Sequence, residues 1–170
     1  FFSKLGDYDA LINAATGGER AMGPFQSMEL EGYRNSFKKL WGYTNTIRLG
    51  LTNLSRDGCI ILVSGSPARK AKKGQIALSS VGAAVEAFSK GLAAEIKPIR
   101  INVISPGIID TPMSPLKGAE RKSFYEKITT DNLIPRAGDA KEVSSAIIFA
   151  LENEFITGTV IDVDGGWLAS

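Results

Sequence analysis

Apolar residues in this chain fall into short unbroken runs separated by longer stretches with helical spacing. Ala10–Ala14 (ALINA) is a compact apolar run that predicts a strand. Met28 to Leu51 sets Tyr33, Phe37, Leu40 with Trp41, Ile47 and Leu51 at helical intervals, predicting one helix. Asp57-Gly58 is a turn signal. Cys59–Val63 (CIILV) predicts a strand without polar alternation, the pattern of a strand covered on both faces. Ser79 to Ile96 is the clearest helix, with Val81, Val85, Phe88, Leu92 and Ile96 recurring every three or four residues. Gly82, Ala83, Ala84, Ala87 and Gly91 make that helix small-sided, and Pro98 ends it. Arg100–Ile104 (RINVI) predicts a strand stopped by Ser105-Pro106-Gly107. Lys117 to Asp131 predicts a polar, exposed helix. Asp139 caps a helix through Leu151 that turns Val143, Ile147 and Ala150 inward. Thr159–Val163 predicts a last strand before Asp164-Gly165-Gly166. At the other end, Phe1 to Leu5 reads as the last turn of a helix closing at Gly6.

Strand and helix alternate, which implies parallel pairing through right-handed crossovers. The expected fold is therefore α/β, a doubly wound parallel sheet, in a single domain over residues 1–170. The composition, 44% hydrophobic and 22% charged, fits a globular domain and adds nothing against this. A net charge of +2 is too mild for a nucleic-acid partner. No apolar run reaches the roughly 20 residues of a membrane span, so no membrane partner is expected. One cysteine, Cys59, excludes an internal disulfide and a multi-cysteine metal site, and a reduced, cytoplasmic setting is the expectation. With no histidine, a Ser-His-Asp triad and a histidine-ligated zinc are both excluded. A general acid must then be Lys, Tyr, Asp, Glu, Cys or a supported hydroxyl.

Ligands of open α/β sheets bind beyond the carboxyl ends of the strands. Three predicted strands end in small or hydroxyl residues: Asn13-Ala14-Ala15-Thr16-Gly17-Gly18, Ser64-Gly65-Ser66-Pro67 and Ser105-Pro106-Gly107. Tight turns use such residues anyway, but all three together let a flat ligand lie against the backbone.

These segments carry a family resemblance. Asp9-Ala10-Leu11-Ile12-Asn13-Ala14-Ala15 resembles the DxLVNNAG strand of short-chain dehydrogenases/reductases. Arg100 through Pro112 (RINVISPGIIDTP) is similar to that family's IRVNxVxPGxxxTP segment, and Ile156 through Gly166 to its TGxxxxVDGG ending. The likeness runs from about Asp9 to Gly166. It implies a Rossmann-type fold, an NAD or NADP cofactor, a small-molecule carbonyl or alcohol substrate, and a homodimer or homotetramer. The family opens with a strand, a GxxxGxG turn and a second strand, about 60 residues in two units. This sequence has none of them, so N-terminal βαβ units and residues before Phe1 are expected in the natural protein.

The same likeness marks altered positions. The family's catalytic tyrosine and lysine fall on Leu78 and Gly82, its serine on Gly65, and its helix asparagine on Lys39. Lys39 is the leading candidate for a substitute acid, against its reading as a surface lysine beside Lys38. Ser64 and Ser66 are candidates to hydrogen-bond a substrate carbonyl, against local backbone satisfaction. Tyr125 is a remoter candidate on an exposed helix. Asn13, Ala14, Ala15, Pro106, Gly107, Ile109 and Thr111 match cofactor-contacting positions. Arg69, Lys70, Lys72 and Lys73 form a basic cluster, read as a solvated face or as a steering patch for an anionic substrate. A dinucleotide-binding sensor or a structural subunit without turnover is the alternative function.

Overall fold

The computed structural model describes residues 1–16 and 20–170; Gly17 and Gly18, expected in the first ligand-binding turn, lie outside the described residues. A short helix α1 (Phe2–Leu5) closes at Gly6 and leads into strand β1 (Tyr8–Asn13). Helices α2 (Leu30–Ser36) and α3 (Lys38–Gly50) follow, then β2 (Leu54–Val63) and α4 (Ile76–Glu95). Strand β3 (Arg100–Pro106), the short β4 (Ile109–Asp110), α5 (Gly118–Ile128) and β5 (Gly138–Asp139) come next. Helix α6 (Ala140–Glu152) and β6 (Val160–Val163) complete the order.

The sheet runs β1-β2-β3-β6, all parallel, and β4 pairs with β5 in a small parallel sheet of its own. Asn13 pairs with Leu62, Val63 with Ile104 and Pro106 with Val163, so the carboxyl ends of all four strands meet along one edge. The unbroken apolar run of β2 divides its side chains between two cores. Ile60, Leu62, Ile101 and Val103 pack under Tyr43 and Ile47 of α3 and Val85 of α4. Cys59, Ile61 and Ile104 pack under Ala150 of α6, flanked by Val143 and Ile147. Helices thus cover both faces, as the doubly wound expectation requires. Each fully buried aliphatic side chain contributes about 1.5–3 kcal/mol of transfer free energy.

Several boundaries differ from the sequence expectation for local reasons. The single helix predicted over 28–51 is two, broken at Phe37. The Ser36 hydroxyl accepts the Ala21 amide (2.9 Å) and donates to the Gly32 carbonyl (3.0 Å) there, an alternative to regular helix bonding. Asp57-Gly58 lies within β2 rather than before it. The register advances from Tyr8 to Ala10 on β1 while advancing from Leu54 to Cys59 on β2, so the turn signal appears as a bulge. Helix α4 begins at Ile76, three residues before its predicted start. At 20 residues and a mean hydropathy of 1.2 it is long and apolar enough to cross a bilayer, contrary to the expectation from run length. Here it lies on the sheet beside α3, with Val81, Val85 and a carboxylate, Glu86, on its buried face. The predicted cap of α6 is present: Asp139 accepts the Lys141 amide (2.7 Å) and its own amide donates to Glu142 (2.7 Å).

Candidate active site

A cavity of about 630 Å³ opens at the carboxyl ends of β1, β2 and β3. Alanines, prolines and aliphatic side chains dominate its wall, and Lys39 is the basic group that α3 brings into it. Lys39 is the second residue of α3, and the break at Phe37 sets where that helix starts. Its Nζ donates to the Ser64 carbonyl (3.2 Å) and lies 5.7 Å from the Tyr43 ring centroid. Burial, with a smaller contribution from the Arg20 charge, lowers its pKa to about 8. The Tyr43 hydroxyl lies 3.1 Å from the Ala15 carbonyl and 3.2 Å from that of Val63, tying together the ends of β1 and β2. Burial pushes this phenol up, which leaves it a neutral donor rather than an acid.

Ser64 also lines the cavity, and its hydroxyl donates to Glu86 (3.0 Å) on α4. Glu86 is buried and stands 3.4 Å from Arg69 Nε. Arg69 in turn pairs with Asp162 of β6 and donates to the Ser105 hydroxyl (3.0 Å). A chain of charge-assisted bonds therefore holds Ser64 from behind. Ser66 departs from its expected role. It is fully buried, does not line the cavity, and donates to the Pro106 carbonyl (3.2 Å), so it joins two strand ends.

Leu78 and Gly82 both face the cavity and bring no titratable group. A Cβ on Gly82 would stand 2.9 Å from Ala68 Cβ, so the space beside it is filled. Pro106, Gly107, Ile109, Thr111 and Ala14 line the cavity as the motif positions imply. Gly107 is required by a close approach: a Cβ there would lie 2.7 Å from Asp164 Cα, where the ends of β3 and β6 converge. Asn13 and Ala15 are not in the cavity wall. The Asn13 side-chain nitrogen is buried and has no hydrogen-bond partner among the described residues.

The basic cluster does not stand free. Arg69 is committed to Glu86 and Asp162, Lys70 donates to the Trp167 carbonyl (2.9 Å), and Lys72 lies 5.1 Å from the Trp167 ring. Tyr125, expected on an exposed helix face, is buried and lines the cavity. Arg121 holds this side closed. It pairs with Asp110, donates to the Ser114 and Leu116 carbonyls (3.1 Å each) and the Thr111 carbonyl (2.6 Å), and stacks 5.6 Å over Tyr125. Sequence reasoning passed over Arg20, Glu86 and Arg121. A lone carboxylate on the apolar face of α4 was the readable signal for Glu86. Arg121 bonds mainly to loop carbonyls, which leave no trace in a residue pattern.

A family model described as enoyl-(acyl carrier protein) reductase matches residues 1–168. Carbonyl reductase family member 4 of Xenopus tropicalis is 32% identical over 169 residues, covering 96% of this chain and 68% of that protein. The 3-oxoacyl-[acyl-carrier-protein] reductase of Rattus norvegicus is 38% identical over 117 residues, covering 68% of this chain and 47% of that protein. The match spans 53% of the bovine reductase of the same name, so the chain corresponds to about half of several relatives. A small-chain dehydrogenase crystallised with NADPH superposes with a TM-score of 0.92 at 33% identity, covering 99% of this chain and 78% of that one. The aldohexose dehydrogenase of Thermoplasma acidophilum superposes at 0.89 with 28% identity, covering 99% and 71% respectively.

Proposed function

Because the chain belongs to the short-chain dehydrogenase/reductase family, we propose that it reduces a carbonyl to an alcohol with NADPH, using Lys39 as proton donor. The observation that carries this reading is a half-buried lysine with a pKa of about 8 in the wall of a cavity at the strand ends. Ala14, Pro106, Gly107, Ile109 and Thr111 bring small side chains and backbone to that wall, and Asn13 holds nearby a buried amide nitrogen unpartnered among the described residues. These residues fit the nicotinamide end of a dinucleotide. The sequence carries no GxxxGxG turn, so the pyrophosphate is assigned to no residue here.

A reduced nicotinamide supplies a hydride to the carbonyl carbon when bound. The Lys39 ammonium hydrogen-bonds the carbonyl oxygen and transfers a proton to it as negative charge develops; the amine then recovers a proton from water. At pH 7 a lysine of pKa about 8 is protonated roughly ten to one, yet is a far stronger acid than an exposed lysine. The Ser64 hydroxyl gives its proton to Glu86, so the substrate carbonyl takes its hydrogen bond from Lys39 and Ser64 is left as an acceptor for a hydroxyl of the substrate or of the alcohol product. The apolar wall and the Arg121-bound segment exclude water, which strengthens each of these bonds.

The test is titration of NADPH into the full-length gene product, followed by a panel of carbonyl compounds. Saturable binding and NADPH oxidation that Lys39→Met removes support the reading. A folded protein that does not bind NADPH refutes it. Leu78 and Gly82 favour a second reading, a dinucleotide-binding sensor, which binding without turnover across the panel would support.

We further propose that a homodimer forms across α4, where Ala83, Ala87, Gly91 and Ala94 are exposed in a small-sided stripe. A Cβ on Gly91 meets nothing within 4 Å, so Gly91→Phe leaves the subunit intact and blocks close helix packing. The expected result is a halved solution mass by light scattering; an unchanged mass removes this interface.

A further inference from the structure

Cations near the cavity fall into two groups. Arg69 has carboxylate partners in Glu86 and Asp162, and Lys70 is bonded to chain carbonyls. Arg20 and Lys39 line the cavity itself, and no aspartate or glutamate lines it with them among the described residues. Among the described residues Lys39 Nζ has one hydrogen-bond acceptor, the Ser64 carbonyl, for its three donors. The remaining wall consists of apolar groups such as Met113, Val143 and Ile147, with hydroxyls. Arg20 is exposed at the edge of the cavity and Lys39 is half-buried; the Arg20 charge acts unfavourably on the Lys39 ammonium, and an anion bound between them offsets that repulsion. The residues that follow Arg20 are fixed at two points: the Ala21 amide donates to Ser36 (2.9 Å) and the Gly23 amide to the Gly74 carbonyl (3.0 Å).

From this geometry we propose that Arg20 and Lys39 form a subsite for an anionic oxygen group, and that the substrate carries it as a carboxylate on its carbonyl compound. Arg20 forks onto the carboxylate, while Lys39 faces the carbonyl oxygen; the apolar wall takes the carbon skeleton. A cavity of about 630 Å³ is large enough for such a molecule. The substrate assignment rests on the reductase reading, whereas the anion subsite does not. A phosphate of the cofactor shares this chemistry and is separated from the substrate in the test.

The probes are 4-formylbenzoate and its methyl ester, equal in skeleton and different in charge. Their affinities for the full-length gene product are measured by calorimetry without cofactor, and NADPH affinity is measured by fluorescence. The expected result is at least tenfold tighter binding of the acid. Arg20→Met is expected to reduce that preference to within twofold while ester and NADPH affinities stay within twofold; Arg20→Lys is expected to keep part of the preference. Circular dichroism establishes that each variant is folded. Acid and ester bound equally, or neither bound, overturns the subsite. Arg20→Met weakening NADPH tenfold with the acid preference intact assigns the cations to a cofactor phosphate and overturns the substrate claim. An acid preference without oxidation of NADPH by any carboxylated carbonyl compound of the panel overturns the substrate claim and leaves the anion subsite standing.

Discussion

Lys39→Met is expected to stabilise the protein while removing its proton donor. Burial shifts Lys39 from the usual 10.5 to about 8. At about 1.4 kcal/mol per pKa unit, holding this ammonium in the folded state costs about 3 kcal/mol. Methionine keeps most of the apolar stem in place. It forfeits the bond to the Ser64 carbonyl, about 1 kcal/mol. The net gain is about 2 kcal/mol, which for a domain of this size raises Tm by roughly 4–8 °C. The pH dependence is a sharper signature. Below pH 8 both the folded and the unfolded lysine are protonated, and the penalty is constant. Between 8 and 10.5 the unfolded chain binds more protons than the folded one, so wild-type stability rises with pH. The advantage of Lys39→Met therefore shrinks across that window and is slightly reversed at its upper end, where the penalty is nearly gone and the lost Ser64 bond, about 1 kcal/mol, remains. Thermal denaturation of both proteins from pH 6 to 10.5 measures this. A variant less stable than wild type at pH 7, or a difference that stays flat up to pH 10.5, refutes the claim that desolvation of this cation outweighs its bond to Ser64.

Three further outcomes follow from the same geometry. With Lys39 as acid, kcat/KM for carbonyl reduction is level below pH 8 and falls about tenfold per unit above it, and Lys39→Met lowers it by about 10²–10⁴; a rate independent of pH from 7 to 10 excludes Lys39. Gly82→Lys is expected to cost about 1–3 kcal/mol in denaturant unfolding because its Cβ meets Ala68, and adding Ala68→Gly should recover most of the loss. Arg121→Ala unties the 110–117 segment from α5, so limited proteolysis should cut there first and KM should rise more than kcat falls; an unchanged digest pattern would show that Arg121 does not hold the segment.

The fold was legible because its strands carry their environment in their composition. CIILV has no polar alternation, and the structure covers it on both faces. Asp139 predicted the start of α6 because the cap is local: it accepts the Lys141 amide, and the structure adds the return bond from its own amide to Glu142. Errors arose where a distant group decided the outcome. Asp57-Gly58 reads as a turn until β1 pairs on either side of it. The 28–51 helix breaks because Ser36 bonds to Ala21, fifteen residues away. At the site, small residues at strand ends located the cavity, but only packing separates Ser64, whose hydroxyl meets Glu86, from Ser66, whose hydroxyl is sealed against Pro106. The cluster at 69–73 keeps Arg69, Lys72 and Lys73 exposed, as a solvated face does; the partners of Arg69 and Lys70, Asp162 and the Trp167 carbonyl, lie about ninety residues further along and leave no local signal.

The changes at Gly82 and Lys39 are better read as one arrangement than as two losses. Gly82 is not an empty socket, because Ala68 already stands where a side chain would begin. A lysine on α4 is therefore sterically opposed by the turn that follows β2. The neighbouring helix α3 meets the same cavity from the β1–β2 side, and its second residue reaches the Ser64 carbonyl at the end of β2. That carbonyl belongs to the residue whose hydroxyl Glu86 of α4 holds. Ser64 thus receives an ammonium through its backbone and a carboxylate through its side chain, so α3 and α4 both bear on it. A cation there needs neither a tyrosine at 78 nor a lysine at 82 to stay within reach of a carbonyl at the strand ends. The double variant Lys39→Met/Gly82→Lys tests this directly. If the cation must come from α3, the added lysine restores no reduction even with Ala68→Gly to make room; if its position on either helix suffices, activity returns in the triple variant and the coupling argued here fails.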